Sequence, residues 1–184
     1  MYCNRPGDSP AVLEQLAANL RSPGLRTHYT FIHFHDADTA GHAETWDVAE
    51  PPPAPYLYAV RKVDGYLGTI LQIADGVEGM RGRTAIVLTA DHGGIAGATE
   101  HSLSSHMQTY TIPLYLWGAG IAGGDLYAMN SSTRRNPQGD RPLYSASPQP
   151  IRNGDVANLA LGLLRLGPVP GSHINTRQDL RYSP

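Results

Sequence analysis

Thr84-Ala-Ile-Val-Leu-Thr-Ala-Asp-His-Gly-Gly94 is an apolar run that stops on a carboxylate, an imidazole and two glycines. A short continuous apolar run rich in β-formers predicts a strand over 84–89, buried on both faces as strands of a parallel sheet are. Upstream of it, Val60, Val63, Leu67, Ile70, Leu71 and Ala74 recur at intervals of three and four, which predicts a long amphipathic helix from Tyr56. Gly65 and Gly68 weaken that helix slightly. Further upstream, Tyr29-Thr-Phe-Ile-His-Phe34 reads as another strand, followed by a polar loop from His35 to Trp46 and a stiff connector with Pro51, Pro52, Pro53 and Pro55. Strand, polar loop, helix, buried strand and polar loop make a βαβ signature. Right-handed crossover then places both polar loops at the carboxyl edge of one sheet, where α/β proteins carry their sites. The fold class that follows is α/β, a mainly parallel sheet with flanking helices.

The flanks fit that class. Ser9 as N-cap and Pro10 at the first helical position announce a first helix carrying Val12, Leu13, Leu16 and Leu20, stopped by Pro23-Gly24. Ile112 to Trp117 reads as a third strand, with Tyr115 and Trp117 expected in the core. Residues 123–147 show no periodicity and read as an ordered surface excursion. Asp155 is expected to cap a last helix with Val156, Leu159, Leu163 and Leu164, after which the chain ends in polar sequence.

Composition bounds the function classes. The 184 residues are 41% hydrophobic and 16% charged, enough for residues 1–184 to form a single domain with a packed core. A net charge of -2 without any basic run disfavours nucleic-acid polymers and anionic membranes as partners. The single Cys3 excludes an internal disulfide framework. There is no signal-peptide pattern and no apolar run of spanning length, which makes cytoplasmic the default expectation for localisation.

The residues with chemical potential are Asp38-Thr-Ala-Gly-His42 and Asp91-His92, each just after a predicted strand. If 38–42 forms a helical turn, Asp38 and His42 project from one face and can grip a single cation. Asp91 and His92 cannot point the same way within a strand, but in a loop they can bracket a second ion. Mixed carboxylate and imidazole ligands suit zinc, manganese or iron better than calcium or magnesium. His101 sits on a Gly-rich loop that can fold back over the same edge. Each element alone has a plainer reading as a helix start or a turn cap; their joint placement in one βαβ unit favours a metal site.

Phe31-Ile-His-Phe-His-Asp-Ala-Asp38-Thr-Ala-Gly-His42, followed by Thr89-Ala-Asp91-His92-Gly-Gly94, resembles the alkaline phosphatase superfamily, in particular its type I phosphodiesterase/nucleotide pyrophosphatase and sulfatase-like members. The resemblance continues through His101-Ser102, Tyr110-Thr-Ile-Pro113, Trp117-Gly-Ala-Gly120, Asp125-Leu-Tyr127, Pro150-Ile-Arg-Asn-Gly-Asp155 and Pro170-Gly-Ser172. It implies two divalent metal ions, zinc or else manganese, acting on a small-molecule phosphate or sulfate ester by in-line displacement. It also implies that Asp38, His42 and a later His hold one ion while Asp91 and His92 serve the other. His101 is the first choice for the later His, with His106 and His173 as alternatives.

The resemblance also implies a further Asp ligand and a Ser or Thr nucleophile upstream, and neither has a matching position among the 37 residues before Asp38. Thr39, Thr89, Ser102 and Ser104 are hydroxyls near the motifs without the placement of a nucleophile. The expectation is therefore an amino-terminally truncated, alkaline-phosphatase-like domain lacking the first strands, with five of the six ligands. Its function would be hydrolysis of phosphoric or sulfuric esters, with a phosphosugar mutase or an inactive metal-binding fragment as alternatives. His33 and His35 read as packed on one strand face, and His28 as surface. Asp36 could replace Asp38 only by giving up the four-residue spacing. Glu50 reads as a solvated charge, and Arg134, Arg135 and Arg141 as surface residues or substrate neutralisers.

Overall fold

The computed structural model describes residues 8–183, together with the backbone of residues 2 and 3. They gather into two compact units. The first takes the residues up to Gly82 plus Gly94–Leu103, and the second takes Arg83–Gly93 and the residues from Ser104 onward.

The first unit is built on helices α1 (Ser9–Arg21), α2 (Asp36–Ala43) and α3 (Pro55–Gly76). Asp8, rather than Ser9, caps α1: its carboxylate accepts from the Ala11 amide at 3.0 Å, an arrangement worth about 1 kcal/mol. Helix α3 forms where expected, but its buried residues are Ala59, Ile70, Ile73 and Ala74, and Val60 of the expected apolar face is exposed. Ala17 of α1, Ile73 and Ala74 of α3 and Met80 bury one another, with Leu20 and Val77 against them. The strand expected over 29–34 is short. Only Phe31–Ile32 (β2) qualifies, paired in parallel with Tyr2–Cys3 (β1). The loop expected from His35 is largely helix α2, because Asp36 and Asp38 in its first turn complement the positive helix end and small residues follow them.

In the second unit, β3 (Ala85–Thr89) and β4 (Leu114–Gly118) form an antiparallel ribbon with Ala85 opposite Gly118 and Thr89 opposite Leu114. Short helices α4 (Met107–Tyr110) and α5 (Leu126–Met129) and helix α6 (Asp155–Leu163) complete it. The described architecture is thus mixed α/β, but the mainly parallel sheet is not what its strands form. Among the described residues, parallel pairing is limited to the two-residue β1–β2 pair and an isolated bridge between Arg134 and Gln149, and the longer ladder is antiparallel. The reversal needs no long crossover helix, and residues 90–113 supply only turns and α4.

Two further expectations are corrected by the ribbon. Strand β3 is half-buried along its length rather than buried on both faces, since β4 is its only ladder partner among the described residues. Strand β4 alternates, so Tyr115 and Trp117 point outward, 65% and 39% exposed, instead of joining the core.

The excursion at 123–147 and the polar carboxyl-terminal sequence are knitted together by buried polar side chains. Asn130 donates to the Leu126 and Arg181 carbonyls and accepts from the Arg181 amide. Asn158 donates to Ser172 and the Ile174 carbonyl and accepts from Val169. Arg134, read from sequence as a surface residue, is 9% exposed and reaches Asp155 at 3.4 Å and Asp179 at 2.9 Å. Asp155 opens α6, but its carboxylate is spent on Arg134 and on the Arg152 amide rather than on the helix beyond it.

Candidate metal-binding site

In the first unit, the spacing of Asp38 and His42 is realised on α2 as two side chains one turn apart. Nε2 of His42 lies 3.5 Å from Oδ1 of Asp38. The chain after Gly94 is held to the end of this helix by two bonds. The Trp46 amide donates to the Ala98 carbonyl at 3.2 Å, and Nδ1 of His42 donates to the Thr99 carbonyl at 2.8 Å. Two residues further on, His101 joins them. One ligand atom from each of Asp38, His42 and His101 falls within 4.8 Å of the others.

The bond to Thr99 decides what His42 can do. A carbonyl oxygen accepts and never donates, so Nδ1 carries the proton, and in the neutral ring Nε2 is left with its lone pair facing a carboxylate. The two facing atoms can share a cation, either a proton carried on Nε2 or a metal ion held between them. An imidazole whose other nitrogen is fixed by a backbone carbonyl is also the outer-shell arrangement that metal-ligating histidines make. One carboxylate oxygen and two imidazole nitrogens form a donor set that suits zinc or a similar transition metal, so the residues fit the ion that the motifs imply.

Trp46 lies under these rings, 5% exposed. Its ring centroid is 4.9 Å from that of His42 and 5.7 Å from that of His101, nearly edge-on to both. Room for the indole is made by missing side chains. A Cβ on Gly41 would fall 2.3 Å from Trp46 Cε2, and one on Gly94 would fall 2.1 Å from Cγ. The polar loop expected from sequence ends at Trp46, and its pattern assigns the indole no role. The cue was a large aromatic among small and polar residues, with glycines on both flanking motifs.

Asp36 does not substitute for Asp38. It bonds Nζ of Lys62 on α3 at 2.7 Å and so ties α2 to α3. Burial works to raise the Asp36 pKa, but the hydrogen bonds from Lys62 and Ser9 outweigh it and hold the carboxyl below its ordinary value. Lys62 is held well above its own, first by the bond to Asp36 and then by Tyr66. Burial likewise pushes the Tyr56 hydroxyl up. Glu50, expected to be solvated, pairs with Arg61. His33 and His35 do pack, with ring centroids 4.2 Å apart, although His33 is past the end of β2.

Asp91 and His92 stand in the second unit, just beyond β3. They repeat the relationship seen in α2: Nδ1 of His92 is 3.0 Å from the Gly93 carbonyl, and Nε2 is 3.6 Å from Oδ2 of Asp91. The corner is braced from behind by Gly93 donating to the Thr109 carbonyl at 2.7 Å and by Asn153 donating to the Asp91 carbonyl at 3.0 Å. Of the other two histidines weighed for the later ligand, His106 caps α4 through the Gln108 amide, and His173 is exposed. Among the hydroxyls, Thr89 donates to the Pro113 carbonyl at 2.9 Å, where it secures the start of β4, while Thr39, Ser102 and Ser104 are exposed.

Residues 6–146 match the family model of type I phosphodiesterase / nucleotide pyrophosphatase. The chain belongs to this family. It is 33% identical over 91 residues to GPI ethanolamine phosphate transferase 1 of Homo sapiens, and 34% identical over 91 residues to the Mus musculus protein of that name. It is also 32% identical over 97 residues to the Gibberella zeae one. These matches cover 50%, 50% and 53% of the chain and 9% of each relative, so the chain spans a small part of their length. No solved structure matches it. The sequence-level resemblance to the alkaline phosphatase superfamily holds at the level of this family. Among the described residues, no helix is long and apolar enough to cross a membrane.

Proposed function

We propose that this chain contributes the metal-holding part of a phosphodiester enzyme, with Asp38, His42 and His101 as ligands of one divalent ion and Asp91 and His92 as ligands of a second. The observation that carries the reading is the Asp38–His42–His101 group, with Nδ1 of His42 committed to Thr99 and Nε2 turned toward Asp38. Divalent ions held there would supply Lewis-acid stabilisation of charge on phosphoryl oxygens. The chain's own contribution is to fix the ligands. Thr99 selects the tautomer of His42, and the Gly93 carbonyl does the same for His92.

The relatives are named for ethanolamine phosphate transfer, which favours moving an ethanolamine phosphate group from one alcohol oxygen to an acceptor alcohol, with the first alcohol released protonated, over simple hydrolysis. The substrate class is then a phosphodiester with a small polar head. Zinc or manganese is the preferred metal because the donors mix nitrogen and oxygen.

The test has two readouts on the full chain. Metal content after dialysis is measured first, and cleavage of a nitrophenyl phosphodiester is then followed with and without an added alcohol, before and after chelation. Retained zinc or manganese, lost on His42→Ala, together with chelator-sensitive cleavage supports the reading. A chain that holds no divalent metal, or that cleaves equally well after chelation, overturns it. Turnover that survives Thr39→Ala and Ser102→Ala would show that neither hydroxyl is the nucleophile.

A further inference from the structure

We propose that Trp46 is a positioning residue for the metal site, a plate that sets the separation of the His42 and His101 imidazoles. The inference rests on the metal-site reading above. The two histidines come from parts of the sequence far apart, and direct chain connectivity does not fix their spacing. His42 has its own anchor at Thr99. The indole adds a surface shared by both rings, with each imidazole nearly edge-on to it at 76° and 81°. Edge-to-face contacts of this kind hold aromatic rings in preferred orientations.

Three further observations make the indole a built feature rather than filler. Gly41 and Gly94 leave no Cβ where the ring stands, so both flanking motifs are shaped to it. The Trp46 amide donates to Ala98, on the segment that carries Thr99 and His101. The ring is also almost wholly buried, while the two histidines packed against it are exposed (His42) and half-buried (His101). A smaller side chain would let His101 approach or rotate away while leaving every ligand in the sequence.

Metal affinity of the full chain is the measurement, by competition with a chromophoric chelator for zinc and by the visible spectrum of the cobalt-substituted protein. Trp46→Leu is expected to weaken zinc by about 10- to 100-fold, the range found when outer-shell partners are lost. It is also expected to change the cobalt band, and Trp46→Phe should recover most of both. In the chain carrying only Trp117→Phe, which leaves Trp46 as the single tryptophan, indole emission should change with the same midpoint as the metal titration. Unaltered affinity and cobalt spectrum in folded Trp46→Leu overturn the inference. If that variant does not fold, an indole emission indifferent to bound metal overturns it instead. Failure of the wild-type chain to bind metal at all strikes the proposed function itself and takes this inference with it.

Discussion

The Thr99 carbonyl and Nδ1 of His42 lie 2.8 Å apart, and this bond, beside that from the Trp46 amide to Ala98, ties the helix carrying Asp38 to the segment carrying His101. It fixes both the ring's orientation and its tautomer. The first expectation concerns the ring itself. His42→Ala should cost more zinc affinity than the roughly 10- to 100-fold typical of outer-shell changes. It should alter thermal stability little, because the side chain is 41% exposed. Chelator competition and a melting curve on the same sample separate the two effects.

Glycines in the first unit divide by what a side chain would meet. Gly94→Ala and Gly41→Ala drive a Cβ into the Trp46 ring and should each cost about 1–3 kcal/mol of overpacking. Gly65→Ala and Gly68→Ala, in open space on α3, should each stabilise by about 0.5–1 kcal/mol. Urea denaturation of the four variants checks both signs, and a stable Gly94→Ala would contradict the fit of the indole.

The Arg134 guanidinium serves Asp155, Asp179 and Asn175 at once. Removing it strands a carboxylate in Asp155 that is 2% exposed. Arg134→Ala is therefore expected to destabilise by about 3–5 kcal/mol. Adding Asp155→Asn should return part of that loss, so the two changes should be clearly non-additive in a double-mutant cycle.

Asp155 also predicts a pH dependence. Burial raises its pKa, against the opposing Arg152 amide and Arg134 charge. The native state therefore binds the proton more tightly than the unfolded chain does. The stability this contributes is complete below the ordinary Asp value and is lost as pH rises through the elevated native one. Over about pH 3 to 6, the unfolding free energy of wild type should gain less, or fall more, with rising pH than that of Asp155→Asn. Parallel curves would mean that Asp155 does not titrate differently in the two states.

Much of the first unit could be read from local pattern. The period of Val60 to Ala74 gave helix α3, the four-residue spacing of Asp38 and His42 gave one helix face, and the family motifs singled out His101. Strand length and pairing were not legible in the same way. An apolar run such as Ala85–Thr89 suits either a parallel or an antiparallel neighbour, and which one it meets depends on residues 90–113 turning the chain back. The outward placement of Tyr115 and Trp117 follows from that pairing, since aromatic β-formers suit either face of a ribbon.

The chemically capable side chains, and the helix that holds two of them, were legible in the residues alone, because helical spacing is a local property of the backbone. The company those side chains keep came from the folded chain. His101, the first choice of three histidines from sequence, stands beside Asp38 and His42 where the Ala98 carbonyl meets the Trp46 amide and the Thr99 carbonyl meets His42. Trp46 had no assigned role until Gly41 and Gly94 were seen to leave space for it. Arg134 changed from a surface charge to the centre of a buried ion cluster. Each depends on groups distant in sequence meeting at hydrogen-bonding or van der Waals range, and no local periodicity encodes such meetings.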